Sequence, residues 1–319
     1  MDLTTAIFEA DRRIRPYVRE TPLDPSPSFS QGSGGQVYFK LENMQHTGSF
    51  KVRGATNKIV SLDDAVRQRG CVAASTGNHG TAVAFTLGKL GRRATVFVPE
   101  TASAAKVESI RIAGADVQVY GQDSADTEKH ARRWAAEQSM TYVSPYNDPL
   151  VIAGQGTIGL EIDRQLDGGL DAVFASVGGG GLISGIAAAL KAKRPEVRII
   201  GCSPENSAVM AESVQAGRIV DLASSPTLSD GTAGGLEAGA ITFDLCRELV
   251  DEHIRVTEEE IAACMRRFIA SQHMLIEGAA GVAIAGFERE RKRFEDATVA
   301  VIICGANIGL DTLRRVLAV

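Results

Sequence analysis

Short runs of β-branched and apolar residues alternate with longer segments of helical periodicity along almost the whole sequence. Seven runs predict strands, at Val37–Lys40, Cys71–Ala74, Ala94–Val98, Val117–Tyr120, Ala172–Val177, Arg198–Cys202 and Thr298–Ile303. Segments of helical period lie at Phe50–Val60, Asn78–Leu90, Ser103–Ala113, Ala125–Gln138, Leu182–Lys193 and Glu258–Gln272. Alternation of this kind favours parallel sheets with helices on both faces. The sequence therefore predicts an α/β fold, and the number of strands suggests two sheets more readily than one.

The composition narrows the class of protein. The 319 residues carry 34 basic and 39 acidic side chains, for a formal net charge of −5, whereas nucleic-acid binding needs a concentrated basic surface. No apolar run reaches the ~18 residues that a membrane helix requires, and the N-terminus carries charges where a signal peptide would be hydrophobic. The five cysteines are scattered and form no C-x-x-C pair. We therefore expect a cytoplasmic enzyme that acts on a small molecule, without a nucleic-acid or membrane partner.

The segment Lys40–Ala55 contains a lysine, Lys51, in the opening turn of a predicted helix. Residues Thr47–Ser49 precede it and are of a type that caps helices. The positive end of a helix dipole favours the neutral form of an amine, and a neutral amine is what Schiff-base chemistry requires. A solvated surface lysine is the alternative that this segment alone leaves open.

Two further segments join a predicted strand to a predicted helix. Ser75–Gly80 is rich in small donors, and free N–H groups at a helix start can bind a carboxylate or a phosphate. Gly178–Gly181 places four glycines in succession, which allows a backbone to fold closely around a ligand. This glycine segment fits neither the dinucleotide fingerprint nor the P-loop, so a nicotinamide oxidoreductase is disfavoured. For the first segment, helix caps at Ser75 and Thr76 and a core role for His79 remain alternatives.

Cys304 ends an apolar run, Ile302–Cys304, and is followed by small residues. A thiol at this position is either an inert buried group or a weak hydrogen-bond partner for a ring nitrogen.

In combination these segments resemble one family, the fold-type II pyridoxal-phosphate enzymes, and within it the branch of threonine/serine dehydratases (ammonia-lyases) and serine racemases. The matching stretches follow the family's order: Gly48–Ala55, Ser75–Gly80, Val151–Thr157, Gly178–Leu182, Ile276–Val282 and Cys304–Asn307. The resemblance implies a fold like the tryptophan synthase β chain, with two parallel-sheet domains. Residues 1–45 plus 149–319 would form the large cofactor-binding domain, and residues 46–148 a small domain that closes over the substrate. It also implies a homodimer.

The resemblance assigns roles to individual residues. Lys51 would hold pyridoxal 5′-phosphate covalently, and Lys51 and Thr76 would be catalytic. The other cofactor contacts would be Phe50, Asn78 at the ring hydroxyl, Gly178, Gly179, Gly180, Gly181 and Leu182 at the phosphate, and Cys304 at the pyridine nitrogen. The substrate would be bound by Ser75, Thr76, His79, Tyr146 and Gly231.

The implied reaction is β-elimination of water from a β-hydroxy-L-amino acid such as threonine or serine, which gives a 2-oxo acid and ammonia. A neutral thiol at Cys304 stabilises a protonated pyridine ring less than a carboxylate does, and this favours elimination over transamination. Thr76 stands where serine racemases have the serine that reprotonates the opposite face, so a racemase is the less favoured alternative. A pyridoxal-phosphate-binding protein without turnover is an alternative of a different class.

Three other features refine this hypothesis. Ser203 and Val209 occupy the positions where racemases supply carboxylates to a divalent cation, and because neither is a good ligand for a hard cation, we predict no metal there. The small residues of Thr227–Gly235 leave room for a large side chain, so phenylserine is a candidate substrate. Only 15 residues follow Cys304, so we expect no regulatory domain after the catalytic unit and a catabolic role.

Overall fold

The strands form two separate sheets in the computed structural model, which describes residues 2–32, 34–167 and 169–318. The strands of the larger sheet are Leu23–Pro25 (β1), Gln36–Leu41 (β2), Ala172–Ser176 (β7), Arg198–Pro204 (β8), Glu252–Val256 (β9) and Thr298–Ile303 (β10). Those of the smaller sheet are Cys71–Ala74 (β3), Ala94–Val98 (β4), Asp116–Val119 (β5) and Thr141–Tyr142 (β6).

The strand orders are β1-β2-β10-β7-β8-β9 in the larger sheet and β5-β4-β3-β6 in the smaller one. All neighbours are parallel except β1 and β2, which are antiparallel. The predicted α/β class with two sheets is therefore confirmed, with an antiparallel edge strand added. The two sheets also fall on either side of the predicted domain boundaries, although the boundaries themselves stay a prediction.

Helices connect the strands in the order expected of parallel sheets. Their bounds are Leu3–Ile14 (α1), Pro27–Ser30 (α2), Lys51–Val60 (α3), Asp64–Gln68 (α4), Asn78–Lys89 (α5), Ala104–Ile112 (α6), Ser124–Glu137 (α7), Pro149–Leu166 (α8), Gly181–Lys191 (α9), Val209–Ala216 (α10), Ile241–Leu249 (α11), Glu258–Gln272 (α12), Gly278–Glu290 (α13) and Leu310–Leu317 (α14). Within the described ranges, none of these helices has the length and apolar character needed to cross a membrane.

The central strands β4 and β7 are buried along their whole length, and β3 and β10 are buried except for one end residue each, as expected for parallel strands covered on both faces. The ring of Phe174 on β7 packs edge-on against Phe287 and Phe294, with ring centroids 5.6 and 5.2 Å away. This packing gives the loops at the ends of the strands a rigid base.

The helix α8 passes through the interior, and residues Val151 to Ile162 are all buried. It begins at Pro149. The preceding residue, Asp148, is the N-cap, and its carboxylate accepts hydrogen bonds from the N–H groups of Leu150 (2.8 Å) and Val151 (3.3 Å). Such a cap satisfies donors that the helix leaves free at its start. The helix is thus anchored where the chain leaves the smaller sheet and returns to the larger one.

Candidate active site

A cavity of about 810 Å³ lies between the two sheets, where β3, β7 and β10 end. Ligands of open α/β sheets bind at the carboxyl ends of the strands, and a cavity of this size is within the range of small-molecule sites. All of the residues to which the sequence assigned a role line it: Phe50, Lys51, Ser75, Thr76, Asn78, His79, Tyr146, Gly178, Gly179, Gly180, Gly181, Leu182, Gly231 and Cys304. The structure thus brings the whole predicted set together, while their individual roles stay predictions.

Lys51 is the first residue of α3, and its amine reaches the cavity. The Nζ atom donates a hydrogen bond to the carbonyl of Pro145 at 2.8 Å and lies 5.2 Å from the centre of the Phe50 ring. Burial lowers the pKa of Lys51 to about 8, an effect that Cys304 and Glu277 only partly oppose. With this pKa the neutral fraction of the amine, which nucleophilic chemistry requires, is about one tenth at pH 7 and about half at pH 8.

The glycine segment leads directly into α9. Gly180, at φ +84°, is the N-cap residue, and no side chain caps the first turn of the helix. A Cβ atom on Gly179 would lie 2.4 Å from the ring of Tyr146, so the loop can follow this path only with glycine at that position. Uncapped N–H groups at the start of a helix form a binding site for a phosphate.

The segment Ser75–Gly80 is built in the same way at the start of α5. Gly77 is the N-cap residue, and no side chain caps this helix either. The hydroxyl of Ser75 accepts a hydrogen bond from the Gly77 N–H at 3.2 Å, which shapes the turn. Thr76 lies beside it on the cavity wall. This turn therefore has the donors that a substrate carboxylate needs.

His79 is buried, and its Nε2 is 2.8 Å from the carbonyl of Val143, to which it donates. Burial, assisted by the charge of Lys51, lowers the pKa of the imidazole to about 3. The ring is therefore neutral, and its other nitrogen, Nδ1, is an acceptor without a partner among the described residues. In this conformation the ring offers no donor to a carboxylate, so the predicted role of His79 in substrate binding lacks support from the geometry.

Glu277 is the main residue that sequence reasoning missed, although it lies within the matching stretch Ile276–Val282. Its carboxyl group accepts two hydrogen bonds of 3.0 Å from the side chain of Asn78 and one of 3.1 Å from the N–H of Asn307. Only 5% of the residue is exposed, and this burial raises its pKa to about 7. A carboxyl group in this state can donate or accept a proton at neutral pH.

Cys304 follows β10 and faces the same carboxyl group. Its Sγ atom lies 3.8 Å from Glu277 Oε1, to which it donates, and 3.7 Å from the hydroxyl of Ser176, which donates to it. Burial raises the pKa of the thiol well above its ordinary value, so the thiol stays protonated. The structure therefore keeps Cys304 neutral, as the sequence hypothesis required.

Tyr146 and Gly231 line the same cavity as Lys51. The hydroxyl of Tyr146 accepts a hydrogen bond from the N–H of Glu237 at 2.8 Å, and its ring covers Gly179. A Cβ atom on Gly231 would lie 3.7 Å from Glu277. Tyr146 thus connects the predicted phosphate loop to the segment that ends at Glu237.

Two ion pairs that the sequence did not reveal join the two sides of the cavity mouth. Lys106 on α6 contacts Asp230, and Arg132 on α7 lies 2.9 Å from Glu237. Arg132 also lies 2.7 Å from Glu128 on its own helix. Lys106 and Arg132, both on the cavity wall, therefore already have carboxylate partners.

The chemistry of these groups fits pyridoxal phosphate: a half-buried amine of lowered pKa, a glycine loop with free N–H groups for a phosphate, and a neutral thiol. Among the described residues no cluster of His, Cys, Asp or Glu could hold a metal ion; the predicted absence of a metal stays a prediction.

Comparison with known proteins agrees with this chemistry. A family model described as pyridoxal-phosphate dependent enzyme matches residues 14–305. The chain is 42% identical over 315 residues to the catabolic L-threonine dehydratase TdcB of Staphylococcus aureus, covering 98% of this chain and 90% of that protein.

Solved structures give the same result. A processed form of threonine deaminase isoform 2 from Solanum lycopersicum superposes with a TM-score of 0.93 at 33% identity, covering 99% of this chain and 92% of that one. Maize serine racemase superposes with a TM-score of 0.92 at 33% identity, covering 98% and 95%. The chain therefore belongs to the family of pyridoxal-phosphate-dependent enzymes, of fold-type II as its ordered motifs predicted, and its cofactor is pyridoxal 5′-phosphate.

Proposed function

We propose that this enzyme is an ammonia-lyase that removes water from a β-hydroxy-L-amino acid of the threonine or serine type. The observation that carries the proposal is the Lys51 amine, which is half-buried, has a pKa lowered to about 8, and lines the same cavity as two uncapped helix starts. The 42% identical relative named L-threonine dehydratase supports the same reaction class.

The start of α9 would bind the cofactor, and the start of α5 would bind the substrate. The N–H groups of Gly178–Leu182 would hold the phosphate of the cofactor, and those of the α5 turn, with the hydroxyls of Ser75 and Thr76, would hold the carboxylate of the substrate. When bound, pyridoxal phosphate supplies a conjugated ring that accepts the electrons released at Cα.

Proton transfer falls to Lys51. Its neutral amine removes the Cα proton of the bound amino acid as a general base, and the β-hydroxyl group departs with a proton as water. One water is regained when the product hydrolyses, so the net products are a 2-oxo acid and ammonia. Near pH 7 the thiol of Cys304 keeps its proton, and the carboxyl group of Glu277, with a pKa of about 7, is protonated in about half of the molecules, so neither group places a permanent full negative charge beside this step.

A racemase is the second candidate, because the chain superposes on maize serine racemase as well as on threonine deaminase. Racemisation needs a second acid on the face opposite Lys51, and Thr76 is the hydroxyl residue on the cavity wall proposed for that task. The two functions separate when L-serine is the substrate: a lyase releases pyruvate, whereas a racemase produces D-serine without it.

The size of the accepted substrate side chain is a further part of the proposal. Cβ atoms placed on Gly234 or Gly235 would meet no other atom within 4 Å, so this part of the wall leaves open space. We therefore propose phenylserine as a substrate beside threonine and serine, to be tested by measuring 2-oxo acid release from each. The homodimer and the cytoplasmic location also remain proposals.

The central experiment replaces Lys51 with alanine. Lys51→Ala should lose both turnover and the visible absorbance of the bound cofactor. The control Lys58→Ala, on the same helix and paired with Asp148 at 2.7 Å, should keep both. Borohydride reduction of the native enzyme, digestion and mass spectrometry should place the cofactor mass on the peptide that contains Lys51. The cofactor mass on another lysine would contradict the proposal.

A further inference from the structure

Two residues after Lys51, the side chain of Arg53 points away from the cavity into a buried cluster of charges. Its guanidinium donates to both carboxylate oxygens of Glu42, at 2.7 and 2.8 Å, and to both of Glu161, at 2.8 and 2.7 Å. It also donates to the hydroxyl of Thr157 at 3.1 Å. Arg53, Glu42 and Glu161 have no exposed side-chain surface.

These partners come from parts of the chain outside the small-sheet segment. Glu42 follows β2 of the larger sheet, and Glu161 lies on the interior helix α8. Lys40 on β2 donates to Glu161 as well, at 2.7 Å, and is also fully buried. The guanidinium therefore fixes α3 to the end of β2 and to α8 through two bidentate contacts, a geometry that specifies orientation as well as distance.

Close contacts between helices continue from α3 to the glycine loop. A Cβ atom on Gly154 of α8 would lie 2.6 Å from the carbonyl oxygen of Arg53, and one on Gly185 of α9 would lie 2.6 Å from the nitrogen of Gly156. Backbones thus touch at both crossings, from α3 to α8 and from α8 to α9. Because α9 starts at Gly181, this stack connects Lys51 to the proposed phosphate site.

Glycine contacts bring helices close together, but their smooth surfaces do not prevent one helix from rotating about its axis. A guanidinium with all of its donors engaged does prevent rotation, because any turn of α3 breaks several charged hydrogen bonds in a buried environment. Lys51 precedes Arg53 by two residues, so a rotation that frees Arg53 also moves the amine.

We propose that Arg53 is a positioning residue, which fixes the rotation of α3 and thereby holds the Lys51 amine at the correct place relative to the phosphate-binding loop. The inference rests on the proposed role of Lys51. It goes further by assigning the geometry of the attachment point to a residue that does not line the cavity.

The test compares two variants that disturb the same cluster in the intact holoenzyme. Arg53→Lys keeps the charge but loses the two bidentate contacts of the guanidinium. Lys40→Met removes a buried cation that also contacts Glu161 but lies outside α3. The measurements are the rate at which cofactor is released to an excess of scavenging reagent, the circular dichroism of the visible cofactor band, and the temperature of unfolding.

Both variants should unfold at lower temperature, because both disturb buried charges. Only Arg53→Lys should release cofactor faster and change the visible dichroism, and a displacement of the reacting amine by ~1 Å should lower kcat by about 100-fold. Lys40→Met should keep the release rate and dichroism of the native enzyme. Equal release rates in the two variants, or native behaviour of Arg53→Lys, would overturn the positioning role.

Two safeguards keep the result interpretable. If Arg53→Lys does not fold, Glu42→Gln weakens the bidentate contact between Arg53 and residue 42. Native cofactor release by that variant would then count against the proposal. Reduction and mass spectrometry of each variant separate the two hypotheses. Cofactor found away from Lys51 would refute the proposed function, whereas cofactor on Lys51 with native release refutes only the role of Arg53.

Discussion

The buried carboxyl group of Glu277 should make the stability of the cofactor-free protein depend on pH in a defined window. Its folded-state pKa is about 7, compared with the ordinary value of 4.5, and the first cause is burial. The folded protein therefore binds this proton more tightly than the unfolded chain does. Between pH 4.5 and about 7 the free energy of unfolding should fall as pH rises, because the carboxylate must then form in a buried place.

The magnitude follows from the same values. The difference between 4.5 and about 7, at ~1.4 kcal/mol for each pH unit, corresponds to about 3 kcal/mol. Glu277→Gln keeps the size of the side chain and cannot ionise. The variant should therefore gain about 3 kcal/mol relative to the native protein on going from pH 4.5 to pH 8, whatever its stability at the lower pH.

The assay is urea unfolding of both apoproteins at a series of pH values, and the quantity of interest is the difference in free energy of unfolding. The contribution of His79 to the free energy of unfolding changes in the opposite direction. Because its pKa is lowered in the folded state, this contribution decreases as the pH falls below 6.5. Taking the difference between variants removes that contribution. Glu137→Gln, which changes an exposed carboxylate on α7, is the matched control and should give a flat difference. A flat difference for Glu277→Gln would refute the reasoning.

Three other outcomes follow from the geometry. Labelling of Lys51 in the apoprotein by an amine-reactive reagent, followed by mass spectrometry, should be half-maximal near pH 8, because burial lowers its pKa to about 8; a midpoint near 10.5 would contradict this. Gly179→Ala, whose Cβ would lie 2.4 Å from the Tyr146 ring, should weaken cofactor binding in an absorbance titration, and native affinity would show that the loop does not need glycine there. Gly154→Ala should lower stability by about 1–3 kcal/mol, because the added methyl group would separate α3 from α8. The control Gly88→Ala, whose Cβ would have its nearest contact at 3.6 Å, should raise stability by about 0.5–1 kcal/mol. Equal shifts of the unfolding temperature in the two variants would refute the close contact between α3 and α8.

The sequence predicted those elements whose patterns are local. The strands β3, β4 and β10 have the predicted bounds, because uninterrupted apolar runs between polar turns mark buried parallel strands. The edge strand β9 was missed, since its sequence carries Glu252, His253 and Arg255 and lacks an apolar run. The helix α8 was found only as a motif, because a helix buried on all sides has no amphipathic period.

The candidate site divides in the same way. The glycine loop and Lys51 could be identified from short sequence motifs, because the residues that mark each of them are adjacent in the chain. The chemistry of Glu277 could not, because its raised pKa depends on burial among residues far away in the chain. Arg53 was hidden for the same reason: its partners Glu42 and Glu161 are 11 and 108 residues distant.

The ionisable groups of this chain are divided between two environments. In the cavity, burial moves the pKa of Lys51 down to about 8 and that of Glu277 up to about 7, so that both groups change protonation close to neutral pH. Beneath α3, Arg53 and Glu161 keep their full charges, and although burial opposes ionisation of Glu161, Arg53 and Lys40 lower its pKa to about 2. The permanent charges thus fix the backbone, and the groups that face the cavity are free to exchange protons. Because these two tasks fall to separate residues, a substitution in the buried cluster should alter geometry, and one in the cavity should alter the pH dependence.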